Sequence, residues 1–238
     1  MKLPLEYSKL AEFFDIMSDN NPLNTVLGSI LKPLNVSSIL DFSAGTGSQV
    51  EYLENRGYKI IGVDYSPALV KMGKANGLNL FEGDMRSSYF GQFDAVITMG
   101  RSIGHLTSED FARAISNIGR NLNDKGLYIF DNFNFDALTD DVVTGLSMDY
   151  VKLVEGKSFR HKQYSQLNRN SKLLTSFDEF ILPDRTEWGS FDLKTYTMDE
   201  IEKLLKDNGF KLIQVHSREG STFERISSQS FIAVARKV

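Results

Sequence analysis

Apolar residues change their spacing twice along this chain. In the first 35 residues they fall at helical intervals: Leu10, Phe13, Phe14 and Met17 share one face, and 24–31 offers a second short helix ended by Pro33. From Val36 to Asn132 short apolar, β-branched runs alternate with amphipathic stretches. The runs at 38–41, 59–63, 79–81, 95–98 and 127–130 read as strands buried on both faces of a parallel sheet. Ser66-Pro67 starts one intervening helix, with Ser as cap and Pro in the first turn, where its missing N–H costs nothing. Thr107 caps another, whose Phe111, Ala114, Ile115, Ile118 and Leu122 form one face. This alternation predicts an α/β sheet.

The alternation stops at 147–195. Three polar segments with interspersed aromatics, 159–167, 173–182 and 186–195, follow one another without a helix, separated by Asn168-Arg169-Asn170 and Pro183-Asp184. They predict an antiparallel β meander inserted into the core and packed on the main sheet, since a lone meander is weakly stable. Thr197-Met198-Asp199-Glu200 then forms a capping box before Ile201, Leu204 and Leu205, and Gly209 ends that helix. The runs 211–215 and 230–235 close the chain as an antiparallel pair. The expected fold is therefore a Rossmann-like seven-stranded sheet, mostly parallel with an antiparallel last strand. Its expected parts are an N-terminal helical cap (1–35), a core (36–146 and 196–238) and the inserted meander (147–195) as a substrate-side lid.

Composition narrows the chemistry. The 238 residues contain no Cys, which removes disulfides, thiolate metal sites and a Cys nucleophile. The net charge of −4 argues against a nucleic-acid coat. No apolar run approaches the ~18 residues of a membrane span. The start, Met1-Lys2-Leu3-Pro4-Leu5-Glu6-Tyr7, lacks a signal-peptide pattern, so the expected setting is cytoplasmic.

The segment Asp41-Phe42-Ser43-Ala44-Gly45-Thr46-Gly47 runs from a strand into a helix. Its glycines permit a sharp turn and close approach of a ligand, and the helix N-terminus beyond suits an anionic group. Asp64 ends the second strand, where a carboxylate can accept hydrogen bonds from ribose hydroxyls. Asp84 follows the third strand, where an acid can meet an adenine amino group and Met85 can pack on the ring. Ligands of open α/β sheets bind at this carboxyl edge.

On these motifs the chain resembles class I S-adenosylmethionine-dependent methyltransferases. The glycine motif is approximated by residues 41–47, the ribose acid by Asp64 in Gly62-Val63-Asp64-Tyr65-Ser66, the adenine-side acid by Asp84, and the fourth-strand motif by Phe93-Asp94-Ala95-Val96-Ile97. The resemblance implies S-adenosylmethionine as cofactor, held by Ser43, Ala44, Gly45, Gly47, Asp64, Tyr65, Asp84, Met85 and Met99. Ser43 departs from the family, which has glycine there. A positive φ would strain it, and its hydroxyl could instead bond the ligand. The meander, Met99-Gly100-Arg101-Ser102-Ile103-Gly104-His105-Leu106 and Phe14-Asp15 are similar to small-molecule members, including N,N-dimethyltransferases of nucleotide-linked amino sugars. There Tyr stands where this chain has Phe14.

The implied reaction is in-line methyl transfer to an N or O nucleophile of a small molecule. His105, just past the fourth strand, is the expected catalytic base. His161 is expected at the solvent face of the meander and His216 at a strand end. No metal site is expected, although Asp131-Asn132 resembles part of a cation-dependent motif. The run 156–172 holds Lys157, Arg160, Lys162, Arg169 and Lys172 without an acid, a candidate receiver for an anionic acceptor or RNA. Tyr164, Phe177, Phe180, Trp188 and Tyr196 are candidate pocket walls. The alternatives are an NAD(P)-dependent oxidoreductase, whose third glycine falls at Val50 here, an RNA methyltransferase, and a non-catalytic nucleoside-binding module.

Overall fold

The computed structural model describes residues 4–17, 21–154 and 157–238. Met1, Lys2 and Leu3 of the N-terminal reading and Gly156 of the basic run lie outside the described residues. In chain order the first strands are β1 (Ser38–Asp41), β2 (Lys59–Asp64), β3 (Leu80–Glu82), β4 (Phe93–Thr98) and β5 (Leu122–Phe133). The insert holds β6 (Met148–Val154), β7 (Lys157–Asn168), β8 (Leu173–Ile181) and β9 (Thr186–Lys194), and the chain closes with β10 (Phe210–Ser217) and β11 (Ser230–Lys237). The helices are α1 (Phe14–Met17), α2 (Asn21–Leu31), α3 (Ser48–Glu54), α4 (Pro67–Ala75), α5 (Ser108–Arg120), α6 (Asp140–Gly145) and α7 (Met198–Asp207).

The main sheet has seven strands in the order β10-β11-β5-β4-β1-β2-β3. All neighbours from β5 to β3 run parallel, and β11 lies antiparallel between β5 and β10. The last strand of the chain thus enters the sheet interior and leaves β10 at the edge. Helices cover both faces because both faces are apolar. On one, Phe111, Ile115 and Ile118 of α5 and Ile201 and Leu205 of α7 pack with Val96, Tyr128 and Phe130. On the other, Leu27 and Leu31 of α2 and Val50 and Leu53 of α3 pack with Ile39, Ile97 and Ile129. Each such side chain contributes about 1.5–3 kcal/mol when fully buried. The predicted caps form. Ser66 Oγ accepts from Leu69 N–H, Thr107 Oγ1 accepts from Asp110 N–H, and Thr197 and Glu200 make a reciprocal capping box.

The insert is a four-stranded antiparallel sheet, β6-β7-β8-β9, one strand more than the three segments predict. The additional strand, β6, is an edge strand with Val151 and Leu153 exposed, so no buried face marks it in the sequence. Leu174 and Leu193 of the small sheet pack with Phe133 at the end of β5, which roots the insert at the carboxyl edge of the main sheet. Leu10 packs with Phe159, Phe180 and Leu182, and Phe13 stacks on Phe159 at 4.9 Å. The N-terminal segment therefore bridges the two sheets. Its first part is two 3-10 turns (Leu5–Tyr7 and Ala11–Phe13) and the short α1, rather than one continuous helix.

Candidate active site

Gly45 and Gly47 take φ of 57° and 99°, a region that L side chains rarely enter. Gly47 is the N-cap of α3. Gly45 N–H donates to Asp64 Oδ2 at 2.8 Å, and Ser66 N–H donates to Asp64 Oδ1 at 2.8 Å. Asp64 thus ties the glycine loop to the end of β2. Burial pushes its carboxyl above the usual range, against those backbone hydrogen bonds. Asp41, fully buried beneath the loop, is pushed up to about 7 by desolvation.

Ser43 has an ordinary backbone and an engaged hydroxyl. It is absent from the positive-φ residues, so no strain arises there. Its Oγ accepts from Met99 N–H at 2.8 Å and donates to Met99 O at 3.1 Å. The hydroxyl is occupied in joining the β1 loop to the end of β4. Met99 is 2% exposed and packs in the core with Ile97.

Asp84 is held by a residue the sequence reading missed. Arg86 donates from Nε and Nη2 to its two oxygens, and from Nη1 to Asp110 Oδ2 at 2.9 Å. The Arg86 hydrogen bonds hold the Asp84 carboxyl below its ordinary range. This fork ties the β3 loop to α5, and the guanidinium stands 6.0 Å from the Tyr65 ring.

Ser43, Asp64, Tyr65, Asp84, Met85 and His105 line one cleft, together with Tyr7, Phe42 and Arg86. Ala44, Gly45, Gly47 and Met99 do not line it. Ala44 is buried, Gly45 lies under the Phe14 ring, and Gly47 sits against Leu78. The donor set fits an adenosyl ligand, with acids at the ends of β2 and β3 and apolar walls from Phe42 and Met85. The cleft holds about 60 Å³, well under the about 300–1,000 Å³ of typical small-molecule pockets, so a nucleoside must move side chains aside to enter. The N-terminal segment closes over the loops beside it. Tyr7 O accepts from Ser66 Oγ, and Thr46 Oγ1 donates to Asp15 Oδ1, so both ends of that segment rest on the loops of the cleft.

His105 ends a 3-10 turn, Ser102–His105, that follows β4. Tyr7 meets its ring edge-on at 5.6 Å and Phe191 lies at 5.7 Å. Burial drives its pKa down to about 4, so the imidazole is neutral at neutral pH. His105 also lines two cavities on the far side. An inner one of about 210 Å³ lies between Tyr7, Arg101, Phe133 and the small sheet, and an outer one of about 480 Å³ reaches Ser108, Asp192 and Lys194.

The other candidates fall elsewhere. His161 is buried rather than solvent-facing: it bonds Asp178 Oδ1 at 2.9 Å and Tyr150 Oη at 3.2 Å, and stacks on Phe180. His216 faces Gln214 on β10. Asp131 accepts from Arg101 N–H and from Arg218 Nε, both at 2.8 Å. Four cations of the basic run are paired: Arg160 with Asp149, Lys162 with Glu179, Arg169 with Asp140 and Lys172 with Glu200. Tyr164 and Trp188 are exposed and Phe180 and Tyr196 are buried. None of the five candidate aromatics lines the two cavities beside His105, whose aromatic walls include Tyr7, Phe133 and Phe191.

Residues 39–126 match the family model of a methyltransferase domain. Over that stretch the chain is similar to S-adenosylmethionine-dependent methyltransferases. It is 26% identical over 220 residues to a glycine/sarcosine/dimethylglycine N-methyltransferase of Actinopolyspora halophila, covering 87% of this chain and 37% of that protein. It is 24% identical over 179 residues to a dTDP-4-amino-2,3,4,6-tetradeoxy-D-glucose N,N-dimethyltransferase of Saccharopolyspora spinosa, covering 73% of this chain and 71% of the other. Its fold superposes on the sugar N-methyltransferase KedS8 from Streptoalloteichus sp. ATCC 53650 with a TM-score of 0.79 at 18% identity, covering 98% and 94% of the two chains. The last likeness concerns fold alone. Among the described residues no helix of this chain is long and apolar enough to cross a membrane.

Proposed function

We propose that this methyltransferase transfers a methyl group from S-adenosylmethionine to a nitrogen atom of a small-molecule acceptor. The observation that carries the reading is the position of His105, which lines the cleft with the strand-end acids on one side and the two larger cavities on the other. When bound, the cofactor supplies an electrophilic methyl carbon on a sulfonium. The protein's task is to align a lone pair behind that carbon, and alignment alone can supply several kcal/mol of the barrier, up to about 7–11 in ideal cases.

The state of His105 favours nitrogen over oxygen. An imidazole whose pKa is about 4 is unprotonated at neutral pH but is a weak base. A hydroxyl acceptor needs its proton removed near the transition state, and such a base gives little driving force. A neutral amine already has its lone pair. His105 then orients the amine by accepting its N–H and holds no charge of its own. The two relatives named above act, by their names, on an amino acid and on an amino sugar, and a small polar amine is what those acceptors share.

The small sheet covers the acceptor side as a lid that excludes water. The cytoplasm is its proposed setting, in keeping with a chain that has no Cys. The RNA reading loses its support, because four cations of the basic run are matched by acids.

The test is a transfer assay with methyl-labelled cofactor against matched amines and alcohols, beside thermal-shift titration with S-adenosylhomocysteine and with NAD(H). Label is expected in amines, with stabilisation by S-adenosylhomocysteine alone. Label only in alcohols overturns the nitrogen assignment, and stabilisation by NAD(H) alone overturns the cofactor.

A further inference from the structure

Arg101 has a backbone that few non-glycine residues adopt, with φ at 59° directly after Gly100 at 76°. Asp131 fixes that turn by accepting the Arg101 N–H. The side chain is carried back over the Phe133 ring, with its guanidinium carbon 4.1 Å from the ring centroid. Nη2 donates to Ser230 Oγ at 3.2 Å. Nε is shut off from solvent and has no hydrogen-bond partner. Among the described residues the guanidinium makes no ion pair, because the nearby Asp131 carboxylate gives its other oxygen to Arg218.

A cation withdrawn from water without an anion is costly, and the cost is removed by pairing. This one lines the inner cavity of about 210 Å³, beside His105 and Tyr7. Among the described residues no carboxylate lines that cavity. Its wall is otherwise mostly apolar, with Phe133, Leu174 and Leu193 among the lining, and its other polar side chains are the neutral Gln163, Ser165 and Ser176. Arg101 does not line the nucleoside cleft.

We propose that the inner cavity binds an acceptor amine that carries a carboxylate, with the Arg101 guanidinium taking the carboxylate and His105 facing the amine. The inference rests on the methyl-transfer reading and adds to it the charge class of the acceptor. A guanidinium offers a planar fork that matches a carboxylate in two parallel hydrogen bonds. Placing that cation in the cavity also disfavours an ammonium beside it, so the amine is drawn toward its neutral, nucleophilic form. The same arrangement rejects an acceptor with no anion, because the guanidinium then stays unpaired.

The experiment uses the whole chain saturated with S-adenosylhomocysteine. Calorimetry measures binding of glycine, sarcosine, β-alanine and phenylalanine against their carboxamides, in the parent protein and in Arg101→Met and Arg101→Lys. In the parent protein at least one carboxylate is expected to bind about 10- to 100-fold better than its carboxamide. That preference should vanish in Arg101→Met and survive in part in Arg101→Lys, which keeps charge without the fork. Affinity for S-adenosylhomocysteine should stay within about threefold in both, which also reports a folded protein. Retained carboxylate preference in Arg101→Met, or no preference in the parent protein, overturns the proposal. Loss of S-adenosylhomocysteine affinity in a folded Arg101→Lys assigns the guanidinium to the cofactor's own carboxylate and overturns it as well. Failure of the parent protein to bind S-adenosylhomocysteine at all refutes instead the methyl-transfer reading.

Discussion

Along the carboxyl edge of the main sheet, the β1–β3 side and the β4–β5 side present opposite chemistry. The first gathers three carboxylates, Asp41, Asp64 and Asp84, and engages each in local hydrogen bonds: Asp41 with Ser43, Asp64 with Gly45 and Ser66, Asp84 with Arg86. The second offers a neutral imidazole and a guanidinium without an ion pair among the described residues, under a roof from the small sheet. The difference fits what the proposed function asks each side to hold. A ribose and an adenine demand acceptors at fixed places on consecutive strand ends. An acceptor molecule demands a shaped space, and that space is built from elements far apart in sequence. The carboxylate side is also cross-linked by these hydrogen bonds, whereas the β4–β5 side is roomier, at about 210 and 480 Å³ against about 60 Å³.

The largest break in this contrast should come from Asp64→Ala. It removes the acceptor shared by Gly45 N–H and Ser66 N–H together with the proposed ribose contacts. Charge-assisted hydrogen bonds of this kind are worth about 1.5–3 kcal/mol, so S-adenosylhomocysteine affinity should fall about 10- to 100-fold. Acceptor binding to protein saturated with S-adenosylhomocysteine should be unaffected. An unchanged dissociation constant for S-adenosylhomocysteine by calorimetry would remove Asp64 from the cofactor site.

This asymmetry also governs what the sequence discloses. The glycine loop, Asp64 and Asp84 are legible because turn geometry and strand ends are local properties. The helix caps at Ser66, Thr107 and Thr197 are legible for the same reason. The acceptor side is not. Tyr7 reaches the cleft from an N-terminal turn, and Arg101 is placed by a backbone turn and by neighbours on β5 and β11. The basic run looks unpaired only because its acids, Asp140, Asp149, Glu179 and Glu200, lie outside it in sequence. His161 reads as exposed because its cover, Phe180, arrives from the next strand.

A smaller effect should sharpen the contrast from the acceptor side. With the His105 pKa at about 4, the group is neutral above that value and protonates only as pH falls through it. The kcat profile from pH 5 to 8 should therefore carry no histidine ionisation and should follow the acceptor amine alone. His105→Ala should lower kcat by about tenfold or less, the scale of lost orientation rather than lost base catalysis, which is about 10²–10⁴-fold. Cofactor affinity should hold. A titration near 6.5 that disappears in His105→Ala would show an imidazole exposed to water and acting as a base. A drop in S-adenosylhomocysteine affinity with unchanged kcat would move the residue to the cofactor side.

The smallest effect on the ligand, and the finest test of where the two halves meet, belongs to Ser43. Its hydroxyl is the clasp between them, since it accepts from and donates to the Met99 backbone at the end of β4. Ser43→Ala leaves the Met99 N–H and C=O without that partner. A net hydrogen bond is worth about 0.5–1.5 kcal/mol, and an unsatisfied buried group costs about 1–3, so a loss of about 1–2 kcal/mol in unfolding free energy is expected. S-adenosylhomocysteine affinity should change by less than about threefold, because the hydroxyl is already engaged within the protein. Ser43→Gly separates this from a backbone effect. The position is not among the positive-φ residues, so glycine gains nothing there and adds about 0.5–1 kcal/mol of lost chain entropy to the missing hydroxyl. Denaturant unfolding should therefore rank parent, then Ser43→Ala, then Ser43→Gly. A Ser43→Gly protein as stable as the parent would show a strained serine. Unchanged stability in Ser43→Ala, with a tenfold loss of S-adenosylhomocysteine affinity, would mean that the hydroxyl turns to the ligand on binding and that the two halves are not clasped through it.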